Sequence, residues 1–236
     1  MRDFFRFPHT PHLAWLGSGV PREDKLLLPA EVEALLASNV LVEEKLDGAN
    51  LGFSLTADGR IQAQNRGQYL APSPTGQFAR LPAWLAQHRD ALLAALEPSL
   101  ILFGEWCAAR HSLDYDALPD WYLLFDVYDR EAGRFWSTVR RDDLARLAGL
   151  STVPRIASGR HTLSQLKAIV QTTPSRFRDR APLEGIVVRH DIGPWCEARA
   201  KLVRPDFTQA IDHHWRRRTV EWNRVVSAIP QGPVGT

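Results

Sequence analysis

Glu43-Glu44-Lys45-Leu46-Asp47-Gly48-Ala49-Asn50 is the stretch on which the reading of this chain turns. It follows the run Asn39-Val40-Leu41-Val42, which reads as the end of a strand, and precedes a second strand-like run, Leu51-Gly52-Phe53-Ser54-Leu55. Lys45 is therefore expected where one strand ends, at the mouth of a sheet. Gly48 is expected to let the backbone approach a ligand closely. Three carboxylates, Glu43, Glu44 and Asp47, surround this one cation. A lysine that acts as a nucleophile must lose its proton and face a phosphorus or carbonyl centre. Alone, Lys-x-Asp-Gly is a weak signal, because composition would put it in roughly one chain in twenty of this length. Its weight comes from what lies around it.

Before it, Phe7-Pro8-His9-Thr10-Pro11-His12-Leu13 is a rigid, extended arm. It either meets phosphates or a nucleic-acid strand, or packs Phe7, Leu13 and Trp15 on the body. Pro29 opens a short helix to Leu36. After it, Leu51–Thr56 and Arg60–Arg66 form a hairpin about Asp58-Gly59. A helix starts at Pro82, Leu100–Trp106 and Trp121–Asp129 are buried strands, and a polar loop over 109–119 joins them. A helix capped by Ser137 or Thr138 runs to Leu147, and Thr162 caps another. Leu183–Arg189 and Ala198–Arg204 pair as strands about the turn 191–194. A last helix is predicted over Phe207–Val226. Strand pairs with tight turns outnumber strand–helix alternations, so the fold class is α+β with mainly antiparallel sheets flanked by helices.

Composition sets limits. The 236 residues are 44% hydrophobic and 24% charged, with a net charge of +2, so a strongly basic nucleic-acid mop is excluded but a basic patch is not. The two cysteines, Cys107 and Cys196, are far apart and make neither a zinc motif nor a disulfide framework. No apolar run is long enough to span a membrane and no signal-peptide pattern opens the chain, so a cytoplasmic location is expected.

Five further stretches follow Lys45 in a fixed order: Asn65-Arg66-Gly67, Phe103-Gly104-Glu105, Leu124-Phe125-Asp126, Leu183 to Arg189, and Arg199-Ala200-Lys201. With Lys45 they resemble the six motifs of the covalent nucleotidyltransferases, the ATP-dependent ligases and mRNA capping enzymes. The resemblance is strongest to the ATP-dependent RNA ligases of the nick-sealing type, whose first motif matches Glu44, Lys45, Gly48 and Asn50. It covers about residues 40 to 207, the adenylyltransferase domain. It implies one nucleotidyltransferase domain over 1–206, with 207–236 as a basic helix and tail of the same domain and no OB-fold.

The resemblance implies that Lys45 attacks the α-phosphate of ATP, releases pyrophosphate and carries AMP to a 5′-phosphate end, which a 3′-hydroxyl then joins. Residue chemistry agrees. Phe125 can stack on adenine. Glu105 can accept a ribose hydroxyl. Lys201 and Arg199 can neutralise the α-phosphate. Glu184 and Asn50 offer oxygens to Mg²⁺ or Mn²⁺. Arg66 can hold a ribose or an incoming terminal phosphate. Glu43 and Glu44 flank the nucleotide, and Arg204, Arg216, Arg217 and Arg218 are candidates for RNA, either free ends or a nicked duplex. Two positions depart from the pattern: Arg199 stands where a lysine is usual, and Asp47 where the nick-sealing branch often has histidine. The alternatives left open are a DNA ligase or other nucleotidyltransferase, and a non-catalytic nucleotide- or RNA-binding subunit working with an unknown partner protein.

Overall fold

A computed structural model describes residues 3–17, 26–210 and 220–226. Helix α1 (Pro29–Leu36) begins on its proline, and Glu31 accepts the Leu28 N–H at 2.7 Å. Strands β1 (Val40–Lys45), β2 (Ala49–Leu55) and β3 (Ile61–Gln64) follow, β2 and β3 as the expected hairpin. After α2 (Leu81–Ala95) come β4 (Leu100–Trp106), β5 (Tyr122–Asp129) and the short β6 (Arg134–Phe135). Ser137 caps α3 (Thr138–Leu147), which stops before Gly149 at φ +61°. Next are β7 (Ser151–Thr152), β8 (Arg155–Gly159) and α4 (Leu163–Thr172). At the start of α4, Thr162 and Gln165 satisfy each other's backbone N–H groups. The hairpin β9 (Gly185–Ile192) and β10 (Trp195–Val203) leads into α5 (Pro205–Ala210).

The strands form two sheets. One has the order β10-β9-β1-β8, the other β3-β2-β4-β5-β6. Every pairing is antiparallel except that of β7, which lies parallel to β5. This is the α+β arrangement expected. Each sheet is covered on one side by helices. Leu35 of α1 and Leu166 and Val170 of α4 bury the first sheet through Val42, Ile186, Val188 and Leu202. Trp84 and Leu92 of α2 and Leu144 of α3 bury the second through Leu51, Phe53, Leu102 and Leu124. No helix among the described residues is long and apolar enough to cross a membrane.

Three elements differ from expectation: the two-residue strand β7, which had no prediction, strand β8 and the last helix. Strand β8 was not predicted. It is an edge strand whose residues are exposed or half-buried, so it carries no alternating apolar pattern. The helix predicted over Phe207–Val226 does not reach its expected end: among the described residues Pro205–Ala210 is helical and Glu221–Val226 runs extended, while 211–219 lie outside the described residues. There Asn223 N–H donates to Ala108 O, Leu118 N–H to Arg224 O and Val226 N–H to Leu118 O. These backbone bonds tie the segment 221–226 to the 107–118 loop. That loop is less polar inside than its sequence suggests, since Tyr115 and Leu118 are buried.

Candidate active site

Side-chain alternation in the first sheet builds one wall of a cavity. Val42, Ile186, Val188, Ala200 and Leu202 point to the helices and are buried. Their neighbours therefore point the other way. These are Glu43 and Lys45 on β1, Val187 and Arg189 on β9, and Arg199 and Lys201 on β10, and all six line the cavity. Register fixes their positions: Lys45 lies opposite Gly185, Glu43 and Lys201 both flank Val187, and Arg199 pairs with Arg189. The facing sheet contributes Asn50, Glu105 and Phe125, Asn50 lying directly across from Glu105. Arg66 enters from the loop after β3. The cavity measures about 370 Å³, within the range of small-molecule sites.

Lys45 Nζ donates to Glu184 Oε1 at 2.5 Å. Burial works against its positive charge, but Glu184, Glu105 and Asp47 outweigh burial and hold the lysine above its ordinary value. Glu184 is pushed up to about 8, chiefly by burial, with Lys45 opposing. Glu105 is pushed up to about 7, again by burial against Lys45. Its Oε1 accepts the Gly48 N–H at 3.0 Å. Two buried oxygens, Glu184 Oε2 and Asn50 Oδ1, accept no hydrogen bond. Orphaned oxygen donors of this kind suit a hard divalent cation. Among the described residues no group of three or more His, Cys, Asp or Glu side chains could hold a metal. A cation here would thus complete its shell with ligand oxygens and water, the habit of Mg²⁺ and Mn²⁺.

A family model for RNA ligases matches residues 38–203, which is most of the chain and all of this cavity's two sheets. The chain belongs to the RNA ligase family. Solved structures agree in fold. A variant of Naegleria gruberi RNA ligase with ATP and Mn superposes with a TM-score of 0.63 at 18% identity, over 89% of this chain and 59% of that one. Another with AMP and Mn gives 0.60 at 17%, over 88% and 64%. The chain thus spans about three fifths of the length of those ligases. No protein with a curated description matches it by sequence.

Within this RNA ligase family member the other expected site residues have definite partners. Glu44 turns away from Lys45 and accepts the Arg176 N–H at 3.0 Å. Glu43 accepts from Arg141 Nη2 at 2.6 Å, and both side chains are buried. Arg199 donates to Asp126 at 2.8 Å and stacks on Phe135 and Phe7, so its charge is engaged at the cavity floor. Phe125 lines the cavity while its carbonyl accepts from Arg141 and Arg189. Arg204 makes a two-pronged pair with Asp206. Arg216, Arg217 and Arg218 lie outside the described residues.

Gly48 lines the cavity and has a second reason to be glycine. A Cβ there would stand 2.6 Å from the Trp106 carbonyl oxygen, so the backbone also approaches β4 closely. Gly48→Ala is expected to push the loop after Lys45 off β4 and cost about 1–3 kcal/mol. Urea unfolding measures it, and an unchanged midpoint would show that the loop yields freely. Phe7 and Thr10, in the N-terminal arm read as meeting phosphates or packing on the body, also line the cavity, as do Val153 and Val187, which were not singled out. Of those last two, Val187 was accessible in principle, since period-2 alternation puts it on the face of Lys45 and Lys201. Asp47, expected only as a motif residue, accepts the N–H groups of Ser112 and Leu113 at 2.7 Å each, and its own N–H donates to Tyr115 Oη. It ties the 107–118 loop to the site.

Proposed function

We propose that this chain is an ATP-dependent RNA ligase that works through a lysyl-AMP intermediate on Lys45. The observation that carries the reading is the placement of Lys45 and Lys201 on one sheet face, with Glu184 against Lys45, inside a cavity of nucleotide size. Lys45 Nζ first gives up its ammonium proton to the Glu184 carboxylate it touches, and the neutral amine attacks the α-phosphorus. The Nζ–P bond forms, the bond to the β-phosphate oxygen breaks, and pyrophosphate leaves. The 5′-phosphate of an RNA end then displaces the lysine and takes the AMP. Finally a 3′-hydroxyl attacks that phosphate, and AMP departs as the phosphodiester forms.

Each residue has a distinct task. Phe125 and Val187 offer apolar faces to adenine, and Glu105 accepts a ribose hydroxyl. Lys201 meets charge growing on the α-phosphate. Arg199, tied to Asp126, holds the floor and adds positive potential more than direct contact. Arg66 takes a phosphate at the cavity rim. Glu184 Oε2 and Asn50 Oδ1 are the oxygens that would hold Mg²⁺ or Mn²⁺, which neutralises phosphate charge. Glu44 and Glu43 brace the strand that presents Lys45. RNA contact by Arg204 requires exchanging its Asp206 pair for phosphate. Incubation with each α-labelled NTP and Mg²⁺ or Mn²⁺, followed by a denaturing gel, tests the reading. Label from ATP alone is expected; label from GTP alone would point to capping-type chemistry, and no label from any NTP would overturn the reading.

A pH profile follows from the Lys45–Glu184 pair. The carboxylate favours the charged ammonium, so Glu184→Gln removes the partner that keeps Lys45 protonated. The acid limb of the adenylation profile should therefore move to lower pH. The maximal rate should nevertheless fall about 100-fold or more, because a cation-holding oxygen is also lost. A limb that stays in place would separate Glu184 from the ionisation of Lys45.

A further inference from the structure

The N-terminal arm precedes the segment that the family model matches, yet it runs along the cavity. Phe5 stacks on Tyr128 of the second sheet, and Gln64 Nε2 donates to the Phe5 carbonyl. Phe7 is buried and packs edge-on to Phe125 at 5.3 Å between ring centres. Farther along, Lys201 N–H donates to Pro11 O and Leu13 N–H to Lys201 O, both at 2.8 Å. So the arm begins at the sheet bearing Phe125 and ends paired to the strand bearing Lys201. It crosses from the expected base end of the cavity to its phosphate end. Phe7 and Thr10 both line the cavity between those two anchors.

Thr10 immediately precedes the residue bonded to the Lys201 backbone, which places it at the phosphate end. A threonine hydroxyl can donate to a phosphate oxygen without adding charge. We propose that residues 7–10 form a wall of the nucleotide cavity and that the Thr10 hydroxyl donates to the triphosphate of the bound nucleotide. Phe7 serves the other end by packing edge-on against the Phe125 ring. The inference rests on the nucleotide reading above and adds a binding residue outside the shared motifs.

Calorimetric titration of the full chain with ATP, AMP and adenosine tests it, with Lys45→Met as a non-reacting background. Thr10→Val keeps the shape and removes the donor, and Thr10→Ser keeps the donor. The expected result is a roughly tenfold weaker Kd for ATP in Thr10→Val, adenosine affinity unchanged, and recovery in Thr10→Ser. Unchanged ATP affinity in Thr10→Val overturns the role of Thr10. Equal loss for all three ligands also overturns it, because that is the pattern of a purely packing residue. A background chain that binds no nucleotide, whatever stands at position 10, overturns the nucleotide reading itself and the role of Thr10 with it.

Discussion

Lys45→Ala is expected to abolish transfer of label from α-labelled ATP to the chain. Loss of a covalent nucleophile costs about 10⁴-fold or more in rate. The other lysine lining the cavity, Lys201, lies on β10, separated from β1 by β9, whereas Lys45 is in 2.5 Å contact with Glu184. The variant should still fold. Without the cation, burial drives Glu184 still higher than about 8, so the carboxyl is buried neutral near pH 7 rather than as an unpaired charge. The sign of the linkage follows. A carboxyl whose folded value is raised from 4.5 binds its proton more tightly in the native state, so folded stability falls as pH rises from about 4.5 toward 8. Lys45→Ala extends that window upward, and its thermal midpoint should drop below that of the parent more at pH 9 than at pH 6. Labelled protein in the variant, traced by peptide mapping to another residue, would sink the assignment of Lys45.

Arg141→Ala is expected to be the most damaging change to stability, about 3–5 kcal/mol. Arg141 is only 1% exposed, and so is Arg189; Glu43 and Asp126 are nearly as buried. The four form one network behind the cavity. Arg141 donates to Glu43, to Asp142 and to the Phe125 carbonyl, while Arg189 donates to Asp126 and to the same carbonyl. Removing Arg141 strips Glu43 of its close partner, leaving Arg189 Nε at 3.8 Å. It also opens a void as large as an arginine side chain. The double variant Arg141→Met with Glu43→Leu removes both charges and should recover much of the loss, because the cost lies in the orphaned carboxylate. Urea denaturation of the single and double variants measures this. A loss under about 1 kcal/mol for Arg141→Ala would mean that water reaches Glu43 and the network is not sealed.

The motif residues were legible because their chemistry and their local structure coincide. Lys45, Glu105, Glu184, Arg199 and Lys201 stand at strand ends or on strands whose apolar neighbours announce them. The same neighbours placed β2, β4 and β5 within two residues and β1, β9 and β10 within three. Strand β8 escaped because an edge strand buries little and needs no pattern. The extended course of 221–226 escaped for a different reason. Asn223 is buried where its Oδ1 accepts the Tyr115 N–H and its Nδ2 donates to the Cys107 carbonyl, and a partner more than a hundred residues away leaves no trace in local periodicity.

What the sequence by itself determined is the order of six motifs, the α+β class and the identity of the groups able to bind phosphate, ribose and a divalent cation. Tertiary structure alone decided which charges are available to a ligand. Arg199 and Glu43 read in sequence like Lys201 and Glu184, as strand charges beside apolar residues. Packing brings Asp126 to Arg199 and Arg141 to Glu43, so both are held in ion pairs although they line the cavity. Lys201 stands on the same wall, and one oxygen of Glu184 accepts no hydrogen bond. A buried charge must find an opposite charge or a ligand. Which of the two it finds depends on residues distant in the chain, and only the fold brings those together.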